Sequence, residues 1–347
     1  MDIIMLSRVA EIIFWMSRYL ERAENIARFV GVNVHLMLDI PGDEDQQWMP
    51  LVRVTGDTEW FEKHYGEATR DNVIQFLTFD ENYPHSIRSC LRQARENARS
   101  VREAIPTDLW EQINRFYLMT THSSSEIQAH YNPHDFFSRI RLEANLCYGL
   151  CETSLTHNEA WYFWRLGQFL ERADKTSRIL DVKYFLLLPS PDYVGMPIDN
   201  IQWAAVLKSA SALTMYRRKH HRITPTDVAD FLLFDRDFPR SILYCLSHAI
   251  DALHAITLSP VGTYGNSAEH QLGRLASDLN YTTIDEVIQQ GLHEFVDRLQ
   301  LRINRANNAV YETFFATQSP PTQPLPTQAP PAQTNPTATL QRGSAAT

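Results

Sequence analysis

One stretch of this chain occurs twice, and that repetition limits the folds open to it more than any other feature. Phe14-Trp15-Met16-Ser17-Arg18-Tyr19-Leu20-Glu21-Arg22-Ala23-Glu24-Asn25-Ile26-Ala27-Arg28 returns 150 positions later as Trp164-Arg165-Leu166-Gly167-Gln168-Phe169-Leu170-Glu171-Arg172-Ala173-Asp174-Lys175-Thr176-Ser177-Arg178. Leu-Glu-Arg-Ala is identical in both copies, an acid follows it, and an Arg closes each. The correspondence continues with a shift of 155, which lays Val73 to Asp80 on Val228 to Asp235. The same shift lays Pro84, Ser86, Ile87, Cys90 and Leu91 on Pro239, Ser241, Ile242, Cys245 and Leu246. Two copies of so long a unit point to two packed halves rather than an open solenoid.

Each copy reads as a long amphipathic helix. At about 100° per residue, Ile12, Trp15, Tyr19, Ala23, Ile26, Ala27 and Val30 share one side. Arg18, Glu21, Asn25 and Arg28 share the other. In the second copy Trp161, Phe169, Ala173 and Leu180 point inward, with Gln168, Glu171, Lys175 and Arg178 outward. No Pro or Gly interrupts Ser7 to Val30, and the second copy carries only Gly167.

The rest of each half follows in the same order. The long helices span about 5–40 and 155–188, and a helix with Trp48 or Trp203 comes next. Thr69 and Thr224-Pro225 announce a short helix, as a capping residue with or without Pro in the first turn. Pro84 and Pro239 turn the chain, and helices then run to about 104 and 257. The first half adds a helix over Trp110 to Met119 and another over about 135–154. In the second half, Thr283-Ile284-Asp285-Glu286 is a capping box opening a helix to about Phe315. No alternating strand run interrupts the series. The expectation is an all-α protein of two tandem helical-bundle repeats, 1–150 and 151–317, packed with approximate two-fold pseudo-symmetry. A Pro/Thr/Gln-rich tail over 318–347 is too poor in apolar residues to fold and is expected to be disordered.

Composition excludes several functions. With 44% hydrophobic residues the chain can build a sizeable core, and its net charge of −9 argues against nucleic-acid binding. No apolar run approaches the ~20 residues of a membrane span. Asp2, Arg8 and Glu11 would interrupt any leader, so a cytoplasmic protein is expected. The four cysteines lack C-x-x-C spacing, and Cys90, Cys245 and the i,i+4 pair Cys147 and Cys151 read as buried thiols. None of the thirteen histidines stands in H-E-x-x-H, and Pro133 separates His130 from His134. There is no Walker loop, no G-x-G-x-x-G and no G-x-S-x-G, so no cofactor and no metal are expected. In the Phe-Asp-x-x-x-Pro-x-Ser-Ile segments, Asp80 and Asp235 are expected to cap backbone amides, an architectural role.

Met5-Leu6-Ser7-Arg8, Arg18-Tyr19-Leu20-Glu21-Arg22-Ala23-Glu24-Asn25 and Leu166-Gly167-Gln168-Phe169-Leu170-Glu171-Arg172-Ala173-Asp174 closely resemble the bacterial alpha-E superfamily, over roughly residues 5–315. Gln168 departs from the pattern by standing where the first copy has Arg18. The resemblance implies a companion of circularly permuted ATP-grasp amide-bond ligases, encoded beside or fused to them, often with transglutaminase-like peptidases nearby. It implies an accessory or scaffold role in making or modifying a small peptide-like product. The alternative is an enzyme using Glu21 and Glu171 as acid–base groups in a pocket between the halves.

The candidate site is the charged stripe of both copies: Arg18, Glu21, Glu24, Asn25 and Arg28 with Glu171, Asp174 and Arg178. It can be a salt-bridge network joining the two halves. It can hold a carboxylate or phosphate through bidentate Arg contacts. It can also be a solvated face laced by i,i+3 and i,i+4 pairs.

Overall fold

Two long helices, α1 (Ser7–Asp39) and α9 (Glu159–Phe185), carry the two similar stretches, and the other helices are arranged around them. The computed structural model describes residues 7–39, 44–185 and 197–316, which form helices with no strand. The tail expected over 318–347, and the end of the helix expected to reach 188, lie outside the described residues.

Between the long helices come α2 (Glu44–Arg53), α3 (Thr58–Tyr65), α4 (Arg70–Ile74), α5 (Ile87–Ser100), α6 (Thr107–Thr121), α7 (Ser123–Tyr131) and α8 (Pro133–Ser154). After α9 follow α10 (Pro197–Ser209), α11 (Leu213–Lys219), α12 (Pro225–Phe234), α13 (Ile242–Thr257), α14 (Ser267–Tyr281), α15 (Ile284–Gln290) and α16 (Leu292–Phe314). A π-helical turn, Gln75–Phe79, extends α4.

Local chemistry explains the boundaries. Thr69, Ser86, Thr224 and Ser241 each accept a backbone N–H three residues on, opening α4, α5, α12 and α13. Asp80 Oδ1 accepts the amides of Asn82 and Tyr83 at 2.8 and 3.2 Å. Asp235 Oδ1 does the same for Asp237 and Phe238 at 2.9 and 2.7 Å. These side chains hold the corners at Pro84 and Pro239.

Three expectations change. The helix opened by the Thr283 capping box ends at Gly291, whose φ of +89° suits a residue without Cβ, and α16 restarts beyond it. α5 stops at Ser100, short of 104, and α6 is longer than Trp110 to Met119. α3, α7, α11 and α14 were not foreseen.

The core has two clusters, and each long helix contributes to both. Ala10 and Phe14 of α1 join a cluster built mainly from α9 to α16. Ala160 and Trp164 of α9 join the cluster built mainly from α1 to α8. The crossing of α1 and α9 is tight: a Cβ on Gly167 would stand 2.4 Å from Ser17 Oγ and 2.5 Å from the Phe14 carbonyl oxygen. All four cysteines are buried free thiols.

Most of the charged stripe is buried. Glu21, Glu24, Asn25 and Glu171 are fully buried, and Arg18, Arg28 and Asp174 nearly so. Trp15 and Tyr19, on the side read as inward, are only partly buried. A helix packed between α9, α5, α8 and α10 has no solvent side over its middle turns, so its polar stripe must be satisfied by neighbours.

Candidate functional site

The stripe's partners come from the facing long helix, and the two Glu-Arg dipeptides cross. Arg22 of α1 grips Glu171 of α9, with Nε 2.7 Å from Oε1 and Nη2 3.0 Å from Oε2. Arg172 of α9 grips Glu21 of α1, with Nε 2.9 Å from Oε1 and Nη2 2.8 Å from Oε2. Both are fork-on-fork contacts, the strongest arrangement an Arg and a carboxylate can adopt.

Further donors complete each carboxylate. Glu171 also receives Arg18 Nε at 2.9 Å and faces Lys175 Nζ at 3.5 Å. Arg18 spans to Asn307 Oδ1 on α16 at 2.7 Å and lies 4.9 Å from the centre of the Trp15 ring. Glu21 also receives Asn25 Nδ2 at 2.9 Å and Arg240 Nη1 at 3.1 Å. Arg240, just before α13, reaches Asn25 Oδ1 at 3.1 Å and Glu24 Oε2 at 2.7 Å. Glu24 pairs with Arg28, and Asp174 with Lys175 and Arg178. The two closing arginines do not meet. Arg28 turns to Ser211, and Arg178 donates to the Val54 carbonyl at 2.9 Å.

Four residues outside the candidate set carry much of this network: Arg22, Arg172, Lys175 and Arg240. The first two were legible, since they belong to the Leu-Glu-Arg-Ala identical in both copies. Arg240 was not, because under the 155 shift it stands opposite His85. Arg240 serves a stripe that carries Asn25, whereas His85 lies beside the stripe that carries Lys175 at the matching position.

Electrostatics follow from this packing. Burial pushes the Glu21 carboxyl upward, but the charges of Arg172 and Arg240 outweigh it and bring the pKa down to about 2. Glu171 feels the same burial and is driven well below the usual range by Arg22, Lys175 and Arg18. Asp174 is likewise lowered by Lys175 and Arg178 against the effect of burial. These carboxylates are fixed anions at neutral pH, and a general base poised near 7 would need the opposite shift.

On the Glu171 side the network opens into a cleft of about 230 Å³, lined by Arg18, Arg22, His85, Lys175, Asp174 and Arg178. His85 keeps an exposed edge, and its Nδ1 accepts from Arg22 Nη1 at 2.8 Å. Burial, then the charges of Arg22 and Lys175, lower its pKa to about 4 despite Asp57 and Glu171. The unfolded chain therefore binds the proton first, so stability from this group is complete above about pH 6.5 and declines toward pH 4. His85→Asn keeps an acceptor for Arg22 without the titration. Chemical denaturation at pH 7, 6 and 5 is expected to show a shallower loss in the variant, and parallel losses would refute the assignment.

Among the described residues no group of three or more His, Cys, Asp or Glu is placed to hold a metal ion, and no helix is long and apolar enough to cross a membrane. No solved structure matches the chain. It is 22% identical over 337 residues to the uncharacterized proteins Mb2597 of Mycobacterium bovis and MT2643 of Mycobacterium tuberculosis. The match takes in 90% of this chain and 37% of each relative, so the chain spans little more than a third of their length. Residues 5–315 match the family Alpha-E, described as a predicted alpha-helical domain with a conserved ER motif. Glu21-Arg22 and Glu171-Arg172, the dipeptides that cross between α1 and α9, are the Glu-Arg pairs of this sequence. The chain belongs to the Alpha-E family.

Proposed function

We propose that this chain is an accessory helical protein that works with an ATP-grasp amide-bond ligase, with a transglutaminase-like peptidase as a further partner, in making or modifying a small peptide-like product. The reciprocal Glu–Arg crossing carries the reading that the chain itself is a rigid scaffold. Carboxylates held this firmly by cations serve as a junction and are poorly suited to acid–base chemistry, which weighs against the enzyme alternative. The ligase partner is inferred from the resemblance to ligase-associated proteins.

In this reading the halves 1–150 and 151–317 arose by duplication and pack with approximate two-fold pseudo-symmetry. Corresponding residues exchange partners, as an isologous contact requires. Arg22 meets Glu171 while Arg172 meets Glu21, Ser17 meets Gly167, and Phe14 and Trp164 each enter the other half's core cluster. Co-expression with an ATP-grasp ligase from the same organism, followed by pull-down and turnover assays, tests the function. A stable complex or an altered ligase turnover is expected; neither appearing would overturn it.

A further inference from the structure

A second cavity, of about 510 Å³, lies between α1, α8 and the segment joining α10 to α11, and the ligase reading makes no use of it. Arg141 and Lys208 line it together with His35 and His134, and among the described lining residues there is no Asp or Glu. Arg141 donates Nη2 to Ser138 Oγ at 2.7 Å, while its buried Nε has no acceptor. Neither Arg141 nor Lys208 makes an ion pair among the described residues. Burial lowers the pKa of Arg141, and the adjacent charge of Arg28 lowers it further. Glu24 opposes that effect but is already engaged by Arg28 and Arg240. Asp135, at the rim, is largely exposed and pairs with His134 at 3.0 Å.

A half-buried guanidinium beside a second one, on a cavity wall without Asp or Glu among its described residues, is an unfavourable arrangement that an anion would relieve. The remaining wall suits the body of such a ligand. Phe137 and Leu213 are apolar, and the His35 and His134 rings pack with centroids 5.0 Å apart. Ser211, held in the left-handed region at φ +52°, accepts with its hydroxyl from Arg28 at the cavity's edge. We propose that this cavity binds a small molecule through an oxyanion, phosphate or carboxylate, that Arg141 and Lys208 hold while Phe137 and the imidazoles receive the rest of it.

Thermal unfolding of the full chain tests this, with pyrophosphate in one arm, N-acetylphenylalaninate in another, and sodium chloride of matched ionic strength as baseline. A saturable rise in Tm is expected in at least one arm, and the arm that responds identifies the head group. Arg141→Gln is expected to weaken that response roughly tenfold or more. Without the anion it should melt at or above the wild-type temperature, since it removes a poorly compensated charge. Lys208→Gln, at an exposed position, is the second variant and should weaken the response without affecting folding. The proposal fails if neither arm gives a saturable rise, or if both variants respond as the wild type does.

Discussion

Glu171→Ala is expected to destabilise the protein by about 3–5 kcal/mol, the usual consequence of removing one partner from a buried ion pair. The fully buried carboxylate accepts from Arg18 and Arg22 and faces Lys175. Without it, three largely buried cations confront one another at the wall of one cleft, with Asp174 left to pair only Lys175 among them. Glu171→Gln keeps the shape and removes the charge, and should lie between wild type and Ala. Pairing Glu171→Met with Arg22→Met should recover part of the loss, since an apolar pair has no stranded charge. Acid should reproduce the effect without mutation. The Glu21 pKa is about 2 in the folded protein, against 4.5 for an unperturbed Glu, and that of Glu171 is lowered too. A depressed carboxylate contributes stability that is whole above about pH 4.5 and disappears as pH falls toward 2. Denaturant melts of the four proteins at neutral pH, and of the wild type down to pH 3, check this. A Glu171→Ala protein that unfolds with the wild type, yet abolishes an associated activity, would restore the acid–base reading and remove the junction.

How much of this was legible in the sequence depends on the kind of signal. The long helices were plain, since α1 and α9 run 33 and 27 residues without an interior Pro, and Thr69, Thr224 and Thr283 marked the starts of α4, α12 and α15. The burial of the stripe was not legible. Periodicity tells which residues share a side of a helix but not what that side meets. Arg18, Glu21 and Arg28 therefore read alike as a solvated face, a ligand site or a junction. What could have narrowed the choice was the identity of Arg22 and Arg172, at positions where a solvated surface has little reason to keep an Arg. Arg240 left no such trace, because its counterpart is His85. The short helices α3, α7 and α11 leave no clear sequence signal because a helix of two or three turns is set by its tertiary neighbours more than by propensity. Gly291 gives no clear sign of the break, because one Gly inside a periodic pattern also occurs in continuous helices.

Gly167→Ala is the substitution that most directly tests the crossing of α1 and α9. Propensity alone favours Ala over Gly in a helix interior by about 1 kcal/mol. At Gly149, in α8, nothing lies within 4 Å of an added Cβ, so Gly149→Ala should stabilise by roughly 0.5–1 kcal/mol. At Gly167 the same methyl would stand 2.5 Å from a backbone carbonyl oxygen and 2.4 Å from Ser17 Oγ, so the two helices must separate. Overpacking of this kind costs about 1–3 kcal/mol and sometimes more. Here the separation also lengthens the Arg22–Glu171 and Arg172–Glu21 contacts, which lie on the same two helices. A net loss of about 1–3 kcal/mol is expected despite the propensity gain, because the strained ion pairs add to the clash. Ser17→Gly removes one of the two obstacles, so the Ser17→Gly/Gly167→Ala double variant should lose less than the sum of its parts. Thermal melts of Gly149→Ala, Gly167→Ala and the double variant decide the matter. If Gly167→Ala is stabilised as Gly149→Ala is, the helices do not cross this closely. The crossed Glu–Arg pairs would then need another geometry.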